Sequence, residues 1–420
     1  MTNMIYTAMP ALPKKHHTNA VVLPSEWNTC PLSSIVEEIS ETVGTRKIET
    51  ISISAGIGFV NQAEKFGREL SGKQYEKYIV LHKGDFSYNK GNSNIYPQGC
   101  IYRLNNRTEA AVPNVFESFR VSVGNPDYYE QLFLSGFLNR QLYSKINRGV
   151  RDNGLLNLKG KDFYSCEVPY PPLAEQERIA EILIQCDRVI ELKEQKLDEL
   201  KQLKKEFLRK MFPAKGCDTP EIRFPGFTGA WEQRKLGEVT AVYDGVHQTP
   251  DYTDSGVMFL SVENINTLRS EKYISEDAFQ RDYKVYPQKG DILMTRIGDV
   301  GTSNVLETTE KVAFYVSLAL LKPFGINSYF LNNAIQSPLF QANLKERTLV
   351  TAIPQKINKD EIGKVKIFLP ESKQEQKQIG LLCRELDTLI TLHQRELEET
   401  KTYKKTLAKL LLTGIVRVQG

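Results

Sequence analysis

In two stretches of the chain the apolar residues step by four and three positions. The first runs Ile179, Leu183, Cys186, Ile190, Leu197, Leu200, Phe207 and Met211, with Lys193 and Lys204 filling the polar steps. The second runs Ile379, Cys383, Leu386, Ile390, Leu397, Leu407 and Leu411, with His393, Thr400 and Lys404 at the matching polar steps. A heptad stripe of this kind predicts a long helix whose narrow apolar face pairs with another helix. Pro172 and Pro370 sit at or just before the two starts, where proline is tolerated, and Gly380 is the one glycine inside either stretch. At about 40 residues each, the helices would be roughly 60 Å long at 1.5 Å per residue. One small domain cannot cover a stripe of that length. The two are therefore expected to pair as an antiparallel coiled coil, with Ile179, Leu183, Ile190, Leu197, Leu200, Ile379, Leu386, Ile390, Leu397 and Leu407 in the seam. Packing of each helix on its own domain or on a partner is the alternative.

The two stretches are copies. At an offset of 200 residues the identities include Glu175/Glu375, Gln176/Gln376, Ile179/Ile379, Asp187/Asp387, Leu197/Leu397 and Lys204/Lys404. The segments that precede them correspond more loosely. Trp27 matches Trp231, and Lys83-Gly84-Asp85-Phe86 matches Lys289-Gly290-Asp291-Ile292. A Gly-Asp step before an apolar run predicts a turn entering a strand. Strand-like runs at 164–168 and 365–369 close the two segments. The fold class expected is α+β: a globular domain over 1–171, a long helix over 172–212, a Pro/Gly-rich linker over 213–230, a second domain over 231–370, a second long helix over 371–413 and a tail over 414–420. The whole reads as a pseudo-two-fold internal repeat.

Composition narrows the chemistry. Of the 420 residues, 40% are hydrophobic and 25% charged, ordinary values for a globular protein with substantial cores. The formal net charge of +4 permits nucleic-acid binding without arguing for it. Cys30, Cys100, Cys166, Cys186, Cys217 and Cys383 are scattered, with no zinc-ligand spacing, and are expected to be reduced thiols. No run reaches the roughly 20 apolar residues of a membrane span, and residues 1–20 lack the apolar stretch of a secretory signal, so an intracellular protein is expected. The segment Gly67-Arg-Glu-Leu-Ser-Gly72-Lys73-Gln74 fits a phosphate-binding loop except that Gln74 replaces the magnesium-holding hydroxyl. Asn125-Pro126-Asp127-Tyr128 departs from the methyltransferase motif it approaches and reads as a turn. No nucleophile or paired-His signature is present.

Two local features suit a nucleic-acid binder. Segment 140–161 holds Arg140, Lys145, Arg148, Arg151, Lys159 and Lys161 against Asp152 alone. Its counterpart, 345–366, holds Lys345, Arg347, Lys356, Lys359, Lys364 and Lys366 against three acids. Clustered cations neutralise phosphates and release counterions. Polar loops follow the Gly-Asp strands: Tyr88-Asn89-Lys90-Gly91-Asn92-Ser93 and Thr295-Arg296-Ile297-Gly298. Asn can pair with adenine and Arg with guanine in the major groove. The candidate DNA contacts are therefore Tyr88, Asn89, Lys90, Ser93, Arg148, Arg151, Thr295, Arg296 and Lys356.

Taken together, the doubled helix starts Pro172–Ile179 and Pro370–Ile379, the linker Ile222–Leu236 and the run Asp85–Ser93 give the chain a resemblance over nearly its whole length. It resembles the specificity subunits of Type I restriction–modification enzymes. The resemblance implies that 1–171 and 231–370 are target recognition domains, each reading one half of a split site on double-stranded DNA. It implies that the helices set the spacer and dock methyltransferase subunits, two in number, with restriction/translocase subunits joining the complex. It further implies a cytoplasmic, non-catalytic subunit that binds no cofactor. S-adenosylmethionine, ATP and magnesium would belong to the partners. A DNA-modifying enzyme with an unrecognised active site and a protein-only coiled-coil adaptor are the alternatives.

Overall fold

In a computed structural model of the chain, which describes residues 23–67, 72–91, 96–146 and 156–418, the two apolar stripes form helices Leu173–Lys210 and Lys373–Leu412, of 38 and 40 residues. The chain divides into two units, and the division falls inside both helices. One unit is Met1–Glu191 with Glu398–Gly420, and the other is Leu192–Leu397.

Strand Asn28–Pro31 of the first unit pairs antiparallel with Glu167–Tyr170, which fastens the start of the domain to the strand leading into the long helix. A four-stranded antiparallel sheet follows in the spatial order Val36–Glu38, Glu117–Val121, Phe86–Asn89 and Cys100–Arg103. Two further antiparallel pairs, Ile51–Ser54 with Gly58–Asn61 and Ile79–His82 with Glu109–Val112, complete the strands. The core is aromatic. Phe86 stacks on Phe119 at 5.5 Å and Tyr88 on Phe163 at 4.6 Å. The same cluster takes in Ile179 and Leu183 from the beginning of the first long helix and Ala408, Leu411 and Leu412 from the end of the second.

The second unit repeats the construction. Glu232–Lys235 pairs with Lys366–Leu369 before the second long helix. A four-stranded antiparallel sheet runs in the order Thr240–Asp244, Leu318–Pro323, Ile292–Thr295 and Ser303–Val305. A three-stranded sheet places Val257–Leu260 between Tyr273–Ile274 and Val312–Phe314. Ile292–Thr295 is buried throughout, as expected of a central strand covered on both faces. The core holds Trp231 and Phe330 with Leu208, Met211 and Phe212 from the end of the first long helix and Ile379 and Cys383 from the beginning of the second. Each unit therefore receives the start of one long helix and the end of the other.

In the second unit Lys193 reaches Glu396 at 2.9 Å and Lys204 reaches Asp387 at 2.6 Å, so the helices run antiparallel. In the first, Lys404 pairs with Asp187, the same pair with the helices exchanged. The lysines at the polar heptad steps thus make cross-helix ion pairs, which fix the register. Ile179, Leu183, Leu197, Leu200, Ile379, Leu386 and Leu397 are buried, and Ile190, Ile390 and Leu407 half-buried. Gly380 has a steric reason. A Cβ there would stand 2.5 Å from Asn327 Oδ1 and 2.9 Å from the Phe330 nitrogen, at the capped start of helix Ser328–Gln336.

One expected strand is displaced. Tyr164 ends a short helix, Gly160–Tyr164, and the strand begins only at Glu167. Tyr164 turns inward against Phe119 and Phe163, and the Cys166 nitrogen closes the turn on the Phe163 carbonyl.

Candidate nucleic-acid interface

The Gly-Asp turns are structural supports for the loops beyond them. Gly84 and Gly290 take φ of 97° and 91°, which only glycine adopts without strain. Each following aspartate is buried at the start of an interior strand. Asp85 accepts from the His82 nitrogen at 2.7 Å and from Arg120 of the neighbouring strand at 2.7 and 3.0 Å. Asp291 accepts from the Gln288 nitrogen at 2.8 Å and from Lys322 of its neighbouring strand at 2.5 Å.

That support draws several candidate side chains inward. Tyr88 is fully buried, its hydroxyl donating to the Gln98 carbonyl at 2.7 Å, and burial holds its phenol above the ordinary range. Asn89 closes its own turn, accepting from the Gly91 nitrogen at 2.8 Å and donating to the Ile53 carbonyl at 3.3 Å. Lys90 pairs with Glu117. Thr295 is buried, donating to the Thr302 carbonyl at 3.3 Å. Arg296, expected to reach guanine, is also buried; it pairs with Asp244 and donates from Nε to the Ile357 carbonyl at 3.1 Å. These five hold loops in shape. A short sequence window did not reveal it, because the partners lie up to 61 residues away. Lys356 is different: exposed, on a backbone bridge to Leu349 and Ile297, with no ion pair among the described residues. Ser93, Arg148 and Arg151 lie outside the described residues.

Of the basic clusters, Arg140, Lys159 and Lys161 are exposed in the first unit, and Lys145 reaches Ser165 at 2.7 Å. In the second, Lys345 and Lys359 are exposed, while Arg347 and Lys364 share Glu361 at 2.9 and 2.6 Å. The phosphate-loop candidate lies partly outside the described residues; its Gly67 caps helix Gln62–Phe66. Asn125 is the N-cap of helix Pro126–Leu134, accepting from the Asp127 and Tyr128 nitrogens at 2.8 and 3.0 Å. Among the described residues no cluster of metal-binding side chains occurs, and no helix is long and apolar enough to cross a membrane.

The repeated Glu-Gln pair opening each long helix proves to be a buried lock. Gln176 accepts from the Asn125 nitrogen at 2.8 Å and donates to the Pro171 carbonyl at 2.8 Å. Gln376 does the same with Asn327 at 3.4 Å and Pro370 at 3.0 Å. Both glutamates meet an arginine from the segment after the other long helix. Arg223 donates to the two Glu375 oxygens at 2.6 and 2.8 Å, and Arg417 to the two Glu175 oxygens at 2.6 and 2.8 Å. Each carboxylate raises the pKa of its arginine. Glu175 also accepts from the Trp27 indole at 2.9 Å, with Arg417 over the ring at 5.5 Å. Offset identity marked the glutamates in the sequence; it did not align the arginines, which stand at unequal distances beyond their helices, Arg223 in the linker and Arg417 in the tail.

The comparisons follow the same duplication. A family model described as Type I restriction modification DNA specificity domain matches residues 24–202 and again 229–402. The Type I restriction enzyme MjaVIII specificity subunit of Methanocaldococcus jannaschii is 26% identical over 293 residues, covering 66% of this chain and 68% of that protein. The S subunit of a Type-I restriction-modification system from M. genitalium shares the fold with a TM-score of 0.60 at 16% identity, over 96% of this chain and 99% of that one. A chain from a structure describing complex assembly and conformational transition of the type I R-M system gives a TM-score of 0.53 at 17% identity, over 93% of this chain and 98% of that one.

Proposed function

Because this chain belongs to the Type I restriction modification DNA specificity family, we propose that it reads a bipartite site on double-stranded DNA, one domain per half-site. The observation that carries the reading is the duplication: the same sheet-and-helix unit is built twice on one pair of long helices, and the family domain matches once in each copy. Two readers on a shared pair of helices suit a target in two parts.

In this reading the chain contributes recognition and scaffolding and carries out no catalysis itself. Methyl transfer, and the S-adenosylmethionine, ATP and magnesium it and translocation need, belong to methyltransferase subunits, two in number, and to restriction/translocase subunits. The complex works in the cytoplasm. The exposed cations Arg140, Lys159, Lys161, Lys345, Lys356 and Lys359 supply phosphate contacts, joined by Arg148 and Arg151. Tyr88, Asn89, Lys90, Thr295 and Arg296 shape the loops that approach the bases, and Ser93 is a further candidate contact.

The test is long-read mapping of modified bases in cells carrying the partner subunits, with and without this chain. A split motif that appears only with the chain is expected. Absence of any chain-dependent motif would overturn the reading. Methyl transfer to DNA by the purified chain alone would favour an enzyme, and salt-insensitive, sequence-independent behaviour in a mobility shift would favour a protein-only adaptor.

A further inference from the structure

Helix Pro338–Glu346 of the second unit is followed by a small hairpin closed by the Leu349–Lys356 bridge. Its base is rigid. Thr348 and Ile357 are buried, and the Thr348 hydroxyl donates to the Leu344 carbonyl at 2.8 Å. Gly298 donates its nitrogen to the Gln355 carbonyl at 2.9 Å, and the Gln355 amide returns a bond to the Gly298 carbonyl at 2.9 Å. The Ile357 nitrogen donates to the Arg296 carbonyl at 3.0 Å, and the Arg296 side chain, clamped by Asp244, holds the Ile357 carbonyl. The tip is apolar and in water: Leu349 is 47% exposed, Val350 58% and Ile353 100%. Three exposed aliphatic residues within five positions, on a braced support, differ from the scattered single ones that any surface carries. Lys356 belongs to the hairpin, and Lys345 and Lys359 lie on the helices that precede and follow it; all three are exposed and without ion pairs among the described residues, against the exposed acids Glu346 and Asp360.

We propose that this hairpin is a wedge for duplex DNA, with Ile353 entering the base stack while Lys345, Lys356 and Lys359 hold the flanking phosphates. The proposal rests on the DNA-reading function above. An aliphatic side chain at the end of a stiff support can part a base step from the minor groove, and the parted bases bury its apolar surface. The cationic rim suits a phosphate backbone better than an apolar protein partner. Bracing by Arg296 fixes the tip before contact, so little ordering is left to binding. The role that Arg296 loses as a base reader becomes a positioning role. Distortion of this kind would add selectivity for deformable steps, such as TA or CA, at positions no side chain reads by hydrogen bonding.

The test uses the assembled methyltransferase complex and a duplex carrying the mapped motif, with 2-aminopurine placed at successive positions. The wild-type complex is expected to brighten one step on binding, and Ile353→Leu to do the same. Ile353→Ala is expected to bind roughly tenfold more weakly, the effect of losing one buried aliphatic group, without brightening and with an unchanged salt dependence. Lys356→Ala should keep the brightening and lower the slope of log affinity against log salt by about one. Because the Ile353 side chain is fully exposed, its replacement leaves the fold intact. Equal affinity and fluorescence for wild type and Ile353→Ala would overturn the wedge, and so would a failure of Ile353→Ala to assemble with the partner subunits, which would mark the tip as a protein contact. If the wild-type complex shows no motif-dependent binding, the DNA-reading function itself falls and the wedge with it.

Discussion

Arg417 grips Glu175 with two nitrogens, Nε at 2.6 Å and Nη2 at 2.8 Å, and so ties the segment after the second long helix to the start of the first. The glutamate is 5% exposed, and its remaining partner is the Trp27 indole. Removing one member of such a pair leaves a charge stranded in a dry site.

Arg417→Ala is therefore expected to cost about 3 kcal/mol of stability, and Arg223→Ala about the same through Glu375. Arg417→Lys should recover only part, because an ammonium cannot match both oxygens at once. Urea denaturation followed by tryptophan fluorescence measures this, and an unmoved midpoint for Arg417→Ala would show that the pair is idle.

The two tryptophans should respond differently to removal of their N–H groups. Trp27 donates to a buried carboxylate, whereas the buried Trp231 Nε1 finds no partner among the described residues. Trp27→Phe is expected to lose about 1.5–3 kcal/mol from the hydrogen bond to the charged group alone, a loss that Trp231→Phe does not share. Each variant removes the tryptophan of the unit it perturbs, so the loss is read by far-ultraviolet circular dichroism during urea unfolding, and an equal shift of the midpoint for both variants would refute the difference.

Gly380→Ala reverses the usual rule that alanine strengthens a helix by about 1 kcal/mol over glycine. The added methyl would meet the Asn327 amide and the Phe330 nitrogen, so overpacking should outweigh propensity for a net loss of about 1–2 kcal/mol. Ala180, at the same place in the first long helix, already carries that methyl and is buried. A higher melting temperature for Gly380→Ala would refute the steric reading.

Thiol reactivity should follow burial. Burial pushes Cys383 up to about 12 and Cys166 to about 11, so at pH 8 neither is appreciably thiolate in the folded state. Titration with a disulfide reagent is expected to modify the exposed Cys217 first, Cys30 and Cys186 slowly, and Cys166 and Cys383 only on unfolding. Rapid labelling of Cys383 in native protein would mean that the helix start opens freely.

If helix length sets the spacer, adding one heptad to both long helices should lengthen the preferred gap between half-sites or abolish binding. Seven residues add about 10 Å, close to three base pairs. Modified-base mapping reads the result, and an unchanged gap would sink the idea.

The sequence was most legible where the physics is periodic or copied. Heptad steps located both long helices, and the same offset that aligned Ile179 with Ile379 aligned Glu175 with Glu375. It was least legible where a side chain's partner is remote. Arg296 has the composition of a base reader and the surroundings of a brace, because Asp244 and Ile357 reach it only through the fold. Lys90 likewise meets Glu117 on another strand. The hairpin tip was not legible at all, since Leu349, Val350 and Ile353 stand at i, i+1 and i+4, a spacing that fits one face of a helix as well as an exposed turn.

The two units also differ in when they can be finished. The second lies within one continuous stretch, Leu192–Leu397, whereas the first needs Ala408, Leu411 and Leu412 in its core and Arg417 on Glu175. During synthesis at about 5–20 residues per second, the roughly 200 residues between the two parts of the first unit take on the order of 10–40 s to appear. Through that interval the aromatic core around Trp27 and Tyr128 lacks part of its cover. The half translated first is thus completed last, and a chain cut short before Ala408 leaves that half open to chaperones and proteases while its twin has every residue of its own core.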